Sequence, residues 1–182
     1  MGFLRTAAPI LCGVIYAGGV AWRFVHLFVL HRADLYIFSD MYMYVHRAVN
    51  LFNPAYVEGP EALIVPPGCH LMLGVLYHWD PSWNLAIGIQ WVMSALVPLL
   101  IGAIAFEMYG RPVALISIAL ASVYFPFIDY AGYFLAEAPY LFFLLLSLWL
   151  LVRSIRVQRI GWAVGLALLA GVALGVTTSL KT

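Results

Sequence analysis

The stretch Ala7–Leu30, AAPILCGVIYAGGVAWRFVHLFVL, decides the fold. Its 24 residues hold no carboxylate, and Arg23 and His26 are their only basic side chains. A hydrocarbon layer about 30 Å thick is crossed by about 20 apolar residues in a helix, so this run is long enough to span it. Runs of similar character follow at Asn84–Phe106, Val113–Ile128, Pro139–Val152 and Gly161–Leu180. A further stretch, Gly68–Tyr77, is apolar but too short to cross and reads as re-entrant or interfacial. The 182 residues are 65% apolar and 9% charged, with mean hydropathy +0.98, against about 25% charged in a soluble domain. The expected fold is therefore all-α: a polytopic membrane bundle of about five transmembrane helices with extracytoplasmic juxtamembrane helices. It is expected to be a single membrane domain over residues 1–182, with an external loop at 31–83 containing amphipathic and re-entrant helices.

The first run is longer than a signal-peptide core, and no small-x-small cleavage pattern follows it, which predicts a retained anchor. The opening MGFLRT fits a myristoylation pattern, but an acyl chain adds little so close to a span. Basic residues near span ends predict orientation. Arg5, Arg111, Arg153, Arg156 and Arg159 all fall on one side if the spans alternate, so that side and the N-terminus are expected to be cytoplasmic. The other side receives Asp34, Asp40, Glu58, Glu61, Asp80, Asp129 and Glu137, seven of the eight carboxylates. Cys12 and Cys69 fall towards opposite membrane faces and are not expected to pair. A net charge of +1 without a basic stripe gives no case for nucleic acid.

Between the first two long runs lies SDMYMYVHRAVNLF, Ser39–Phe52. Ser39 is a suitable N-cap and places Asp40 in a first helical turn, where the helix dipole favours a carboxylate. At 100° per residue Met41, Val45, Ala48 and Phe52 form an apolar stripe, and Asp40, Tyr44 and Arg47 share the adjacent face. This predicts an amphipathic helix along the membrane surface, in which the plainer roles are a cap for Asp40 and headgroup contact for Arg47. Pro66 and Pro67 then stop any arriving helix. The apolar segment after them, bordered by His70 and His78, suggests a pocket at the outer boundary, because irregular backbone at membrane depth needs protein or a watery cavity around it. No paired histidine spacing points to a metal. Glu137 stands two residues before Pro139 at the mouth of the fourth long run, another carboxylate at a helix start. Arg23 and His26, three apart in the first run, share a face; packing or snorkelling is the plain reading for Arg23 and a lipid phosphate the functional one. Lys181, past the last run, is a third cation near the outer side.

The order of these features resembles the N-terminal module of the GT-C class of membrane glycosyltransferases, in particular bacterial relatives of the protein O-mannosyltransferases and of the aminoarabinose transferase. The carriers are SDMYMYVHRA after the first span, VPPGCHLML before the second, EMYGRPVALISIALASVYFPF across a cytoplasmic break, and YFLAEAPYLFFLLLSLWLL opening the fourth. The resemblance implies that Asp40 is the catalytic acidic residue of the first external loop and Glu137 the acidic residue of the next. It aligns Pro66, Pro67 and Gly68 with the family's Pro-Pro-Gly junction, and Lys181 with a basic residue near the lipid phosphate. Two departures stand out: Met41 occupies a position often acidic in relatives, and those relatives usually carry many more spans.

What the resemblance implies is transfer of a sugar from a polyprenyl-phosphate donor to an extracytoplasmic acceptor hydroxyl, at a bacterial inner membrane. Asp40 and Glu137 would be the catalytic carboxylates and, if a divalent cation takes part, its holders. Tyr44, Arg47, Pro67, His70, Lys181 and Arg23 would bind substrate, the cations neutralising the leaving phosphate and the Pro66–Tyr77 segment holding the first isoprenes. Membrane lipids, further membrane subunits or a C-terminal continuation would be partners. The alternative is a non-catalytic GT-C-derived subunit that scaffolds a larger complex.

Overall fold

The computed structural model describes residues 2–57, 59 and 66–181, so Glu58 and Glu61 lie outside the described residues. Among these the chain is helical, with no strand. α1 is Gly2–Val25, prolonged by a π-helical turn at His26–Leu30; α2 is Asp40–Val49, α3 Pro67–Trp79 and α4 Asn84–Tyr109. α5 is Arg111–Val123, α6 Phe125–Asp129, α7 Glu137–Arg156 and α8 Ile160–Leu180. Four segments are long and apolar enough to cross a membrane: Ala7–Leu35, Asn84–Tyr109, Glu137–Arg156 and Ile160–Leu180. The protein is an integral membrane protein, and a fifth span exists if α5 and the Phe125–Gly132 segment count as one.

That fifth crossing is not the straight helix its hydropathy suggests. It bends by 62° between α5 and α6. Pro126 explains the break. An uninterrupted helix would need the Pro126 nitrogen to donate to the carbonyl of Ser122, four residues back, and proline has no N–H to give. In the first turn of a new helix the missing donor costs nothing, so α6 starts there. The carbonyls orphaned at the end of α5 are taken up by Arg23. Its Nη1 donates to the carbonyls of Ser122 (2.8 Å) and Gly19 (3.0 Å), its Nη2 to that of Ala121 (3.3 Å) and its Nε to Ser94 Oγ (3.1 Å). Arg23 is fully buried and turned into the bundle, so snorkelling is not what it does. The negative end of the α5 dipole faces its charge. Gly19 lets the two helices meet, since a Cβ there would stand 2.6 Å from the Ser122 carbonyl oxygen.

The irregular segment after the break is tied to α4. Ser94 Oγ donates to the carbonyl of Phe127 and Gln90 Nε2 to that of Tyr133, both at 2.9 Å. Backbone that has left its helix at membrane depth thus finds partners inside the protein.

α2 buries Met41, Val45 and Ala48 as the apolar stripe predicts, but against α3, with Gly74 of α3 close to the Ala48 carbonyl. It is therefore packed protein, with only its outer face left at the surface. Phe52 lies past the helix end and is 59% exposed, its ring 4.6 Å from that of His78. α3 is one unbroken helix, about 20 Å long at 1.5 Å per residue, and the sharp bend of the chain lies instead between α5 and α6. Its first turn abuts the last turn of α8, where a Cβ on Gly68 would stand 2.6 Å from the Ser179 carbonyl oxygen. Leu27, Met41, Leu73, Ile87, Phe134 and Leu180 form the core at this end. Asp34, Asp40, Asp80, Asp129 and Glu137 share it, whereas Glu107 is at the opposite end with Arg153 and Arg156. Both cysteines are free and buried.

Candidate active site

Asp40 is the first residue of α2, and the backbone before it is unusual. Ser39 adopts φ 48° and ψ −130°, in a tight turn closed by the Met41 amide donating to the Phe38 carbonyl at 3.1 Å. A non-glycine residue held there stores about 1–3 kcal/mol of strain. The expected N-cap is not made: the Ser39 hydroxyl lies 3.4 Å from Asp40 Oδ1 and bonds no helical amide. Asp40 itself is exposed.

One turn on, Tyr44 is half-buried between elements. Burial, then the Cys69 thiol and the Glu137 and Asp40 carboxylates, push its phenol up to about 12, against the opposing pull of Arg47. Both carboxylates singled out in the sequence therefore act on one side chain from the same end of the bundle. Cys69, buried in α3, is likewise pushed up to about 12 by burial and by Glu137. Glu137 opens α7 and is half-buried; its Oε1 accepts from Lys181 Nζ at 2.9 Å. That bond holds the Lys181 ammonium above its ordinary range. Their side chains are 35% and 52% exposed, so the pair contributes at most about 1 kcal/mol to stability and is more useful as a charge arrangement than as a staple.

Beside this pair opens a cavity of about 350 Å³ between α4, α7 and the Tyr124–Tyr130 segment. Ser94, Tyr124, Phe127 and Tyr130 line it opposite Tyr140, with Glu137 and Lys181 at its edge. The Pro66–Tyr77 segment, expected to wall the pocket, does not line it. Of the residues expected to bind substrate, Lys181 alone lies on the cavity itself. Tyr44 is half-buried on α2, where the Asp40 and Glu137 carboxylates act on it electrostatically. Arg47 is buried on α2, Pro67 is exposed in the first turn of α3, and His70 is buried in α3. Arg23 lies behind the wall, reaching the cavity only through Ser94, and its hydrogen bonds go to the α5 end described above.

The sequence reading missed Cys69, Tyr140 and Tyr130 as neighbours of the acidic pair. Tyr140 was accessible in principle, since three residues past Glu137 shares its helical face; Cys69 and Tyr130 come from other elements and leave no local signal. Among the described residues no three His, Cys, Asp or Glu side chains gather as a metal-ligating group. Glu137, half of the only pair proposed for a cation, is engaged by Lys181.

The helical membrane bundle, with Glu137 and Lys181 paired at the edge of a largely apolar cavity and Asp40 at the same end, fits a GT-C type membrane glycosyltransferase module. The pattern of the dolichyl-phosphate-mannose-protein mannosyltransferase family matches residues 71–179, more than half of the chain, and the chain belongs to that family. Such enzymes act on a lipid-linked sugar donor. The matched segment runs from α3 to α8 and includes Glu137; Asp40, Tyr44 and Arg47 precede it and Lys181 follows it. Neither a curated protein nor a solved structure matches the chain.

Proposed function

We propose that this module transfers a sugar from a polyprenyl-phosphate donor to an acceptor hydroxyl on the extracytoplasmic side of a bacterial inner membrane. The N-terminus and the Glu107 end would then be cytoplasmic, as the arginines there favour. The observation that carries the reading is the pair on the edge of the cavity, Glu137 and Lys181 bonded at 2.9 Å, with the Glu137 and Asp40 carboxylates both acting electrostatically on Tyr44.

In this reading the donor phosphate docks at Lys181, whose ammonium has three donors and uses one on Glu137. The aromatic wall of Tyr124, Phe127 and Tyr140 takes the apolar body next to it. Glu137 accepts a hydrogen bond from the acceptor or sugar and keeps Lys181 charged and aimed. Asp40, exposed at the start of α2, takes the proton of the acceptor hydroxyl as its oxygen bonds to the anomeric carbon. The bond from that carbon to the phosphate oxygen breaks, and the electron pair leaves on the phosphate, where Lys181 offsets the growing charge.

Transfer from radiolabelled polyprenyl-phosphate sugar, measured in membranes carrying the protein, tests this. Asp40→Asn should lower the rate about 10²–10⁴-fold, the usual worth of a general base, while Asp34→Asn at the same end should not. An unchanged rate in Asp40→Asn would falsify the assignment. Stoichiometric co-purification with other membrane subunits and no turnover would instead favour the scaffold role.

A further inference from the structure

At the end of the bundle opposite Asp40, a groove of about 560 Å³ runs between α5 and α7 across α4. Its size is that of ligand sites, about 300–1,000 Å³. Leu99, Ala103, Leu115, Ile118 and Trp149 make its walls, and Glu107, Arg111 and Arg153 stand at its mouth.

The charges at that mouth do not balance. Glu107 Oε1 accepts from Arg153 Nη1 at 2.8 Å, and its second oxygen lies 3.9 Å from Arg156 Nε. Among the described residues Arg111 makes no ion pair. One carboxylate, paired with two guanidiniums, therefore stands against three at this end. Arg111 is also the first residue of α5, where the helix dipole reinforces attraction for an anion.

An apolar wall beneath an excess of guanidinium charge, at the end of the membrane spans, matches an amphiphile. A guanidinium binds phosphate oxygens through two parallel N–H bonds. A soluble anion would leave the walls uncovered, and a neutral lipid would leave the charge unused. Another transmembrane helix laid into the groove would bury those guanidiniums without counter-charge, at a high desolvation cost.

We propose that the groove seats one anionic phospholipid, its phosphate between Arg111 and Arg153 and an acyl chain along Ile118 and Trp149. The site is at the far end from Asp40 and Glu137, so it stands or falls independently of the sugar-transfer reading.

The test is native mass spectrometry of the purified full chain after incubation with equimolar phosphatidylglycerol and phosphatidylcholine. The wild type should retain phosphatidylglycerol in preference. Arg111→Gln, which breaks no ion pair among the described residues, should weaken that preference about fivefold, the worth of about 1 kcal/mol per basic residue near a membrane surface. Glu107→Gln should strengthen it by removing the competing carboxylate. Brominated phosphatidylglycerol should quench wild-type tryptophan fluorescence more than that of Trp149→Phe. Equal retention of the two lipids, or an undiminished preference in Arg111→Gln, overturns the site. So does displacement by inorganic phosphate, or an oligomer that dissociates in Arg111→Gln while lipid retention stays the same.

Discussion

At the scale of single side chains, Tyr44 feels the charge of both acidic residues. Its phenol stays neutral because burial and three neighbouring groups able to carry negative charge, Cys69, Glu137 and Asp40, disfavour the phenolate. A group whose acidity is weakened by folding contributes stability that is fully present below its ordinary value and lost as pH rises towards its folded one. The window for Tyr44 thus runs from near 10 to about 12. In a spectrophotometric titration, the phenolate signal absent from Tyr44→Phe should appear near the upper limit, and a step near the lower one would place the ring in open solvent. Asp40 differs in kind. It is exposed, and the strained Ser39 backbone in front of it sets the direction in which α2 begins.

At the scale of elements, the broken α5–α6 crossing governs the site, because its irregular segment forms one wall of the cavity. Pro126 breaks the helix, and Arg23 supplies donors for the carbonyls the break leaves behind. Arg23→Met should therefore cost at least one buried unsatisfied carbonyl, about 1–3 kcal/mol, seen as a lower melting temperature in detergent. Arg23→Lys should recover only part of the loss, since an ammonium lacks the planar fork that reaches Ser122, Ala121 and Ser94 together. A melt unchanged in Arg23→Met would mean that water, not the guanidinium, satisfies the α5 end. The Pro126 break was present in the hydropathy run but silent there, because a break in mid-run changes neither length nor apolarity.

Across the whole molecule, the rim is assembled by contacts between the early and late parts of the chain. Gly68 of α3 touches the Ser179 backbone two residues before Lys181. Gly68→Ala should push α3 and α8 apart at a cost of about 1–3 kcal/mol, typical of overpacking. It should also reduce transfer beyond what the stability loss explains, because Lys181 moves with the end of α8. Stability lost with the transfer rate intact would show that the α3–α8 contact does not position the lysine. The cavity and the opposite groove both lie against α4, the central helix, and differ in the charges at their mouths.

The amino-acid sequence alone determined the membrane character, four of the long apolar helices, the burial of Met41, Val45 and Ala48, and the acidic and basic ends. Each of these follows from composition or helical period, which are local properties of the chain. Only the tertiary structure decided that Glu137 bonds Lys181, 44 residues away, that the same carboxylate acts electrostatically on Cys69 and Tyr44, and that Arg23 serves a helix end 98 and 99 residues on. Such pairings depend on which helices lie side by side, and in a chain of nearly uniform hydropathy the period places a residue on a face without naming the helix that face will meet.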